Sequence, residues 1–236
     1  QIVYVKNPID TKYETMNFFV PEAYFKGESV NGYNNYDAPI FFPNQVGGYM
    51  PAEAGSPGTS RDGVNPNAIF VALSKGYVVA SPGARGRVTK NANGLYTGKA
   101  PAAIVDLKAA VRYLHYNDKV MPGSANRIVS NGTSAGGALS SLLGASGNNK
   151  DYDKYLKEIG AANASDAVLV VSAYCPITNL ENADMAYEWL FNGINEYKSL
   201  KITQSTDFKV ERTYVTGSMT EDQIKASNEL KAMFPK

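Results

Sequence analysis

Short apolar or alternating runs along the chain predict a series of β-strands. The runs have the length of strands and are rich in the β-branched and aromatic residues that strands favour. They cover residues 2–5, 15–20, 39–44, 77–81, 127–131 and 167–174. Helical stretches separate the last four runs. Strands that alternate with helices predict an α/β fold with a mostly parallel sheet covered on both faces, and we expect the first two strands to add an antiparallel edge.

Apolar positions three and four residues apart, together with end signals, mark the helices. The predicted helices cover 66–75, 101–117, 134–145, 151–159 and 221–234. The first is expected to carry Pro66 in its first turn and to end before Gly76. The last is expected to begin with a capping box that joins Thr220 and Gln223.

The composition changes near residue 190, where the chain becomes polar and rich in lysine. We therefore divide it into an α/β body, residues 1–190, and the beginning of an inserted, mobile element, residues 191–236. Strand 167–174 would leave an apolar edge if the sheet ended there, and such edges invite aggregation. We expect this strand to pair with a strand from another chain or from a segment that follows residue 236.

Composition and charge exclude several kinds of function. The 236 residues carry a formal net charge of +1, which gives no electrostatic argument for a nucleic-acid or membrane partner. The longest apolar run, 167–171, is far shorter than the roughly 20 residues of a membrane-spanning helix. A single histidine and a single cysteine argue against a zinc site and exclude an internal disulfide. The glycine-rich stretches 94–99 and 83–86 do not match the phosphate-binding motifs.

The stretch Gly132-Thr133-Ser134-Ala135-Gly136 has the pattern G-x-S-x-G between a predicted strand and a predicted helix. In α/β-hydrolases this turn exposes a nucleophilic serine at the carboxyl edge of the sheet. The helix that follows directs its amide end toward developing negative charge. Ser134 is therefore the candidate nucleophile. The alternative is a tightly packed glycine-rich turn with an incidental serine.

An acyl-transfer site also needs two amide donors for the oxyanion. One is expected from Ala135, which follows the nucleophile, and the other from the loop after strand 39–44. In that loop Gly48 is the first candidate and Gly47 the second, although a tight turn would also use these glycines. The loop carries Gln45 where esterases with an HGGG-type loop carry histidine.

The base and the acid of a triad are not evident in this chain. The order in α/β-hydrolases is serine, acid, histidine, but His115 precedes Ser134 and is expected on the surface of helix 101–117. Asp184 is a variant candidate for the acid, but no histidine follows it for a carboxylate to orient. Cys175 is expected to be a buried strand residue, because no histidine is available to activate it.

Four blocks of the chain together resemble bacterial tannases and related esterases of the α/β-hydrolase superfamily. They are "GYVVASPGARGR", "GKAPAAIVDLKAAVRYL", "NGTSAGGALSSLLGASGN" and "CPITNLENADMAYEW". The resemblance covers about residues 1–190. It implies that Ser134 is the nucleophile and that Ala135 and the loop of Gly47 and Gly48 form the oxyanion hole. It also implies a lid inserted after the sixth strand, here beginning within 191–236, with the catalytic Asp and His after the lid.

The resemblance implies a serine esterase that hydrolyses galloyl or related phenolic esters without a metal or cofactor. Ile177 then becomes a candidate to pack against the aromatic ring, although an ordinary core position explains it equally well. A C-terminal segment, in the same chain or separate from it, would supply Asp and His, so residues 1–236 alone are expected to be incomplete. The alternatives are another carboxylesterase, a feruloyl esterase or a peptidase of the same fold, or a binding module that lacks the base.

Overall fold

The computed structural model describes residues 1–60, 62–204 and 210–234 and divides the chain into two compact units, Gln1–Thr178 and Asn179–Lys236. The first unit contains a six-stranded sheet. Its strands are β1 (Ile2–Val3), β2 (Thr15–Phe19), β3 (Pro39–Pro43), β4 (Val78–Pro82), β5 (Ser124–Thr133) and β6 (Val170–Tyr174). Its helices are α1 (Ala68–Ser74), α2 (Ala102–Tyr116), α3 (Ala135–Ala145) and α4 (Asp153–Glu158), with 3-10 turns at Glu22–Lys26 and Lys150–Tyr152.

The strands follow the order β1-β2-β4-β3-β5-β6. The pairs β4–β3, β3–β5 and β5–β6 are parallel, whereas β1 and β2 are antiparallel. The predicted α/β-hydrolase architecture, with its parallel sheet and antiparallel edge, is confirmed. Because parallel strands end at the same edge, the residues after Pro43, Pro82, Thr133 and Tyr174 meet there. This carboxyl edge positions the candidate site.

Helix α2 packs its apolar stripe into the core, and that stripe is buried throughout (Ile104, Leu107, Val111 and Leu114). Lys108 is also fully buried, and its Nζ lies 2.9 Å from Asp166 Oδ1. Asp166 also accepts from Arg112 Nε at 2.8 Å and from the Asn148 amide at 2.7 Å. Burial alone would raise the pKa of Asp166, but these donors hold it below its ordinary value. The buried pair thus fixes α2 against the segment that leads into β6.

The start of α1 differs from the prediction. The helix begins at Ala68, and Asn67 is the N-cap, since its side chain accepts a hydrogen bond from the Phe70 amide at 2.9 Å. Pro66 precedes the cap and is not in the first turn. The reason is physical: an asparagine oxygen satisfies an amide that would otherwise lack a partner, and proline cannot do so. Among the helices described, none is long and apolar enough to cross a membrane.

Within the described residues β6 is the outermost strand of the sheet and pairs only with β5. Its apolar residues are exposed, with Val170 at 46% and Tyr174 at 59%. Pairing of its other side with a further segment stays a prediction. Cys175, which follows β6, is exposed and has a φ of 43°. The expectation of a buried cysteine was therefore wrong, because the residue lies beyond the end of the outermost strand.

The second unit contains α5 (Ala183–Phe191), a hairpin of β7 (Glu196–Gln204) and β8 (Val210–Ser218), and α6 (Glu221–Met233), with a 3-10 turn at Leu180–Asn182. The capping box of Thr220 and Gln223 is present at α6. Helix α5 packs against α6, where the rings of Trp189 and Phe234 lie 5.5 Å apart. These contacts place α5 in the second unit, which begins at Asn179, whereas the sequence analysis drew its boundary near residue 190. That this unit begins a lid stays a prediction.

Candidate active site

Ser134 occupies the sharp turn between β5 and α3. Its backbone has φ 59° and ψ −122°, a conformation that a residue with a side chain rarely adopts. Its amide donates to the Tyr174 carbonyl at 2.9 Å, and its carbonyl accepts from the amides of Ala138 at 3.0 Å and Ile177 at 3.2 Å. Strand β6 and helix α3 therefore hold the strained residue from both sides.

The glycines of the motif are required by close packing around the turn. A Cβ on Gly136 would lie 2.6 Å from both Asn44 Oδ1 and the Val46 carbonyl oxygen. A Cβ on Gly132 would collide with the backbone of Gly136. Any side chain at either position would push the turn away from the loop after β3. The sequence pattern thus has a structural cause in the close packing of this turn at residues 132–136, here called the nucleophile turn after its candidate nucleophile, Ser134.

A cleft of about 740 Å³ opens beside this turn. Three segments line it: 43–48 at the end of β3 and in the loop after it, 67–69 at the start of α1, and 131–134 at the end of β5. Ser134 lines the cleft and is half-buried. The structure therefore brings the candidate nucleophile and the glycine-rich loop to one cavity, as parallel strands that end at one edge predict.

Two of the three candidate amide donors, Gly47 and Gly48, line the cleft, whereas Ala135 is buried next to Ser134. Ala135 is the first residue of α3, and Gly47 and Gly48 lie in the loop, where Gly48 has a φ of 57°. In the part of the chain that the structure describes, none of these three amides donates a hydrogen bond to a protein group. The first amides of a helix lack intrahelical partners and carry its positive dipole end. These groups are therefore available to bind an oxygen that develops negative charge.

Asn44, at the end of β3, joins the loop to the nucleophile turn. Its buried side chain donates to the carbonyl oxygens of Asn131 at 3.1 Å and Gly136 at 3.0 Å, and to Ser140 Oγ at 3.0 Å. Its Oδ1 accepts from the Val46 amide at 3.2 Å. Sequence reasoning assigned Asn44 to a strand and gave it no role. A polar residue between an apolar strand and a glycine-rich loop was the available signal.

Tyr49 closes the other end of the same loop. Its hydroxyl donates to the Ile177 carbonyl at 3.0 Å, and its own carbonyl accepts from the Arg87 amide at 2.8 Å. Ile177 in turn donates its amide to Ser134, and its side chain is 44% exposed. Ile177 therefore lies directly beside the nucleophile turn with an accessible apolar side chain.

His115 is held far from Ser134. Its Nε2 lies 3.0 Å from the Ala167 carbonyl oxygen, before the start of β6. Ser134 contacts Tyr174 at the opposite end of β6, and the five residues of that strand span about 16 Å. His115 is thus in no position to take a proton from Ser134. Asp184 is exposed and belongs to α5 in the second unit.

A buried ionic cluster forms around Arg85, two residues before the Arg87 amide that binds the Tyr49 carbonyl. Arg85 Nη2 lies 2.6 Å from Asp106 Oδ1, and Arg85 Nε lies 3.6 Å from Glu14 Oε1. Burial and, next, the charge of Asp106 raise the pKa of Glu14 to about 7. One guanidinium faces two carboxylates here. Arg85 is therefore committed to the interior of the protein and does not reach toward the cleft.

Comparison with known proteins places this geometry in a family. The family model described as BD-FAE matches residues 55–217. The chain is 60% identical to a tannase from Fusobacterium nucleatum, with a TM-score of 0.91 over 99% of this chain and 50% of that one. It is 48% identical to a tannase from Lactobacillus plantarum, with a TM-score of 0.89 over 99% and 50% of the two chains.

A tannin acyl hydrolase solved in complex with ethyl gallate is 49% identical, with a TM-score of 0.84 over 99% of this chain and 48% of that one. No curated protein matches the sequence. The chain spans about half the length of the solved structures to which it is similar. The resemblance to bacterial tannases that the sequence blocks indicated is confirmed, and the chain belongs to the BD-FAE family of α/β-hydrolases.

Proposed function

We propose that the complete protein is a serine esterase that hydrolyses galloyl or related phenolic esters, with Ser134 as its nucleophile. The observation that carries the proposal is the strained backbone of Ser134, φ 59°, at the rim of a cleft that Gly47 and Gly48 also line. Strain of this kind persists where the surrounding structure enforces it and is concentrated at functional sites. The similar tannin acyl hydrolases, one of them in complex with ethyl gallate, support the choice of substrate.

The mechanism follows from the groups at the turn. A histidine takes the hydroxyl proton of Ser134 as its Oγ attacks the ester carbonyl carbon. The amides of Ala135 and Gly48, with Gly47 as the second candidate for the latter, bind the oxyanion of the tetrahedral intermediate. The intermediate collapses, the alcohol leaves with the proton from the histidine, and the acyl group remains on Ser134. Water, deprotonated by the same histidine, then releases the free acid.

The histidine and its aspartate are proposed to come from a segment that follows residue 236. His115 is held at the other end of β6, and the chain spans about half the length of its tannase relatives. The same segment would pair with the exposed edge of β6, which removes an aggregation-prone edge. In this proposal the unit Asn179–Lys236 is the beginning of the inserted lid.

Ile177 is proposed to pack against the phenolic ring of the substrate. Its side chain is 44% exposed although its backbone is tied to both Ser134 and Tyr49. An accessible branched apolar side chain beside the nucleophile offers a flat aromatic ring a contact surface without polar groups to desolvate.

The test is a substrate panel with the complete protein. Methyl gallate, ethyl ferulate, a short-chain acyl ester and a prolyl peptide are compared by kcat/KM, with Ser134→Ala as the nucleophile variant and Ser141→Ala, on the same helix, as its control. The proposal expects the gallate ester to give the highest value and Ser134→Ala to abolish turnover. A higher kcat/KM for another substrate would contradict the assignment of phenolic esters as the substrate class. Full activity of Ser134→Ala would contradict the assignment of Ser134 as the nucleophile.

A further inference from the structure

The loop at residues 44–49, here called the oxyanion loop, is tied to the nucleophile turn at both of its ends. We propose that Asn44 and Tyr49 are positioning residues, which set the separation between the Gly48 amide and Ser134. The proposal rests on the proposed function, because it assigns a role to the oxyanion hole of that esterase.

An oxyanion hole built from two separate segments needs something to fix the distance between them. The Ala135 amide moves with the nucleophile turn, whereas the Gly48 amide belongs to a loop that is distant in sequence. The two glycines of the loop have little packing, since a Cβ on Gly47 would meet nothing within 4 Å, whereas Val46 before them is buried in the core. Donors must be held to within about 0.5 Å of the productive geometry. Besides the buried Val46, the side chains at the two loop ends are therefore the groups that hold the loop against the nucleophile turn.

Asn44 attaches the amino-terminal end of the oxyanion loop. Its carboxamide donates to two backbone carbonyls of the nucleophile region and to Ser140 Oγ, while its oxygen accepts the Val46 amide of the loop. One planar group thus contacts β5, α3 and the loop together. Aspartate has no donor for the carbonyls, and leucine has no polar atom at all. The absence of a side chain at Gly136 leaves the space that Asn44 Oδ1 fills.

Tyr49 attaches the carboxyl-terminal end of the loop to Ser134 through two successive hydrogen bonds. Its hydroxyl donates to the Ile177 carbonyl, and the Ile177 amide donates to the Ser134 carbonyl. A tyrosine hydroxyl is protonated at neutral pH, and burial raises the pKa of Tyr49 further above its ordinary value. Its backbone has a φ of 55°, which turns the chain at the residue after Gly48. Loss of the hydroxyl would release this end while the Gly48 amide itself stays intact.

The decisive variant is Tyr49→Phe in the complete protein, because it removes only one oxygen atom. Tyr24→Phe is the matched control, since the Tyr24 hydroxyl also donates to a backbone carbonyl, that of Gly76, at the amino end of β4. Four quantities are measured: kcat and KM on methyl gallate, the affinity for phenylboronic acid as a tetrahedral adduct of Ser134, and the affinity for gallate as a ground-state ligand.

We expect Tyr49→Phe to lower kcat by about three- to thirtyfold, the range expected when one hydrogen bond that orients an oxyanion donor is lost. KM and the affinity for gallate should stay within about twofold, while the affinity for phenylboronic acid falls by the same factor as kcat. Tyr24→Phe should change none of these quantities. Asn44→Ala should repeat the pattern with a larger loss, provided that it folds.

The proposal is overturned if Tyr49→Phe retains the kcat of the parent protein, or if kcat and the affinity for gallate fall together as in a general loss of structure. Failure of the proposed function would look different. In that case the parent protein would show no turnover of gallate esters that depends on Ser134, whatever the residue at position 49.

Discussion

Replacing Ser134 with glycine should make the complete protein more stable than replacing it with alanine. Both variants lack the hydroxyl, so their difference isolates the Cβ at φ 59° and ψ −122°. Backbone strain of this kind costs about 1–3 kcal/mol for a residue that has a Cβ. The greater freedom of glycine in the unfolded chain opposes this gain by roughly 1 kcal/mol. The net expectation is that glycine raises the free energy of unfolding by about 1 kcal/mol relative to alanine.

The matched pair at Ser141 should give the opposite sign. Ser141 lies inside α3, where the backbone is helical, and there glycine is about 1 kcal/mol less favourable than alanine. Urea denaturation of the four variants measures both differences, and none of the comparisons depends on catalytic activity. At Ser141 the glycine variant is expected to be less stable than the alanine variant. If the same order is found at Ser134, then the nucleophile turn is not strained and the argument from strain to function fails.

Three further predictions concern stability and activity of the complete protein. Burial raises the pKa of Glu14 to about 7, so the folded protein keeps a proton that the unfolded chain releases near its ordinary value of 4.5, and stability should fall as the pH rises between these values. Glu14→Gln should remove most of that loss in urea titrations at about pH 5 and about pH 8, and an unchanged slope would contradict the assignment. Gly136→Ala should lower the stability by about 1–3 kcal/mol and also lower the esterase activity, because its Cβ would lie 2.6 Å from Asn44 Oδ1. Thermal melting and esterase rates measure the two effects. Gly58→Ala is the control and should be tolerated in both assays, because the nearest atom to its Cβ would lie 3.9 Å away. His115→Gln should leave kcat unchanged, and a large loss of kcat without a loss of stability would show that another base had been overlooked.

The central strands and the nucleophile turn were predictable because each has a strong local signal. Residues 39–43 and 78–82 are buried strands with short apolar sequences, and their boundaries differ from the prediction by one residue at most. The turn at Ser134 follows from glycines whose absent side chains leave room for backbone contacts. At these positions the local sequence pattern and the tertiary packing favour the same strand or turn, so the sequence alone was sufficient to predict it.

The second unit was harder to predict. Its hairpin is polar, and its first helix, α5, lies just before the point where the composition changes. The hairpin β7–β8 follows a change to lysine-rich sequence, which was interpreted as the beginning of an inserted, mobile element with a helix at 221–234. Its available signal was the run 213–216, Thr-Tyr-Val-Thr, which is rich in strand-favouring residues. Helix α5 was included in the body because the composition changes only after it, near residue 190, and its packing against α6 is not visible from the local pattern.

Long-range side-chain bonds were the least predictable part of the candidate site. Asn44 and Asn131 are 87 positions apart, and Tyr49 and Ile177 are 128 positions apart. No periodicity or motif relates residues at such separations. Their roles became evident only once the sheet had brought the ends of β3, β5 and β6 to one edge.

Detection of the acyl-enzyme tests the central claim most directly. The complete protein is mixed with methyl gallate, quenched in acid during turnover, digested, and examined by mass spectrometry. The account predicts a galloyl group on the peptide that contains Ser134, and its absence from Ser134→Ala. A galloyl group on another residue, or turnover of the ester by Ser134→Ala at the parent rate, would contradict the assignment of Ser134 as the nucleophile.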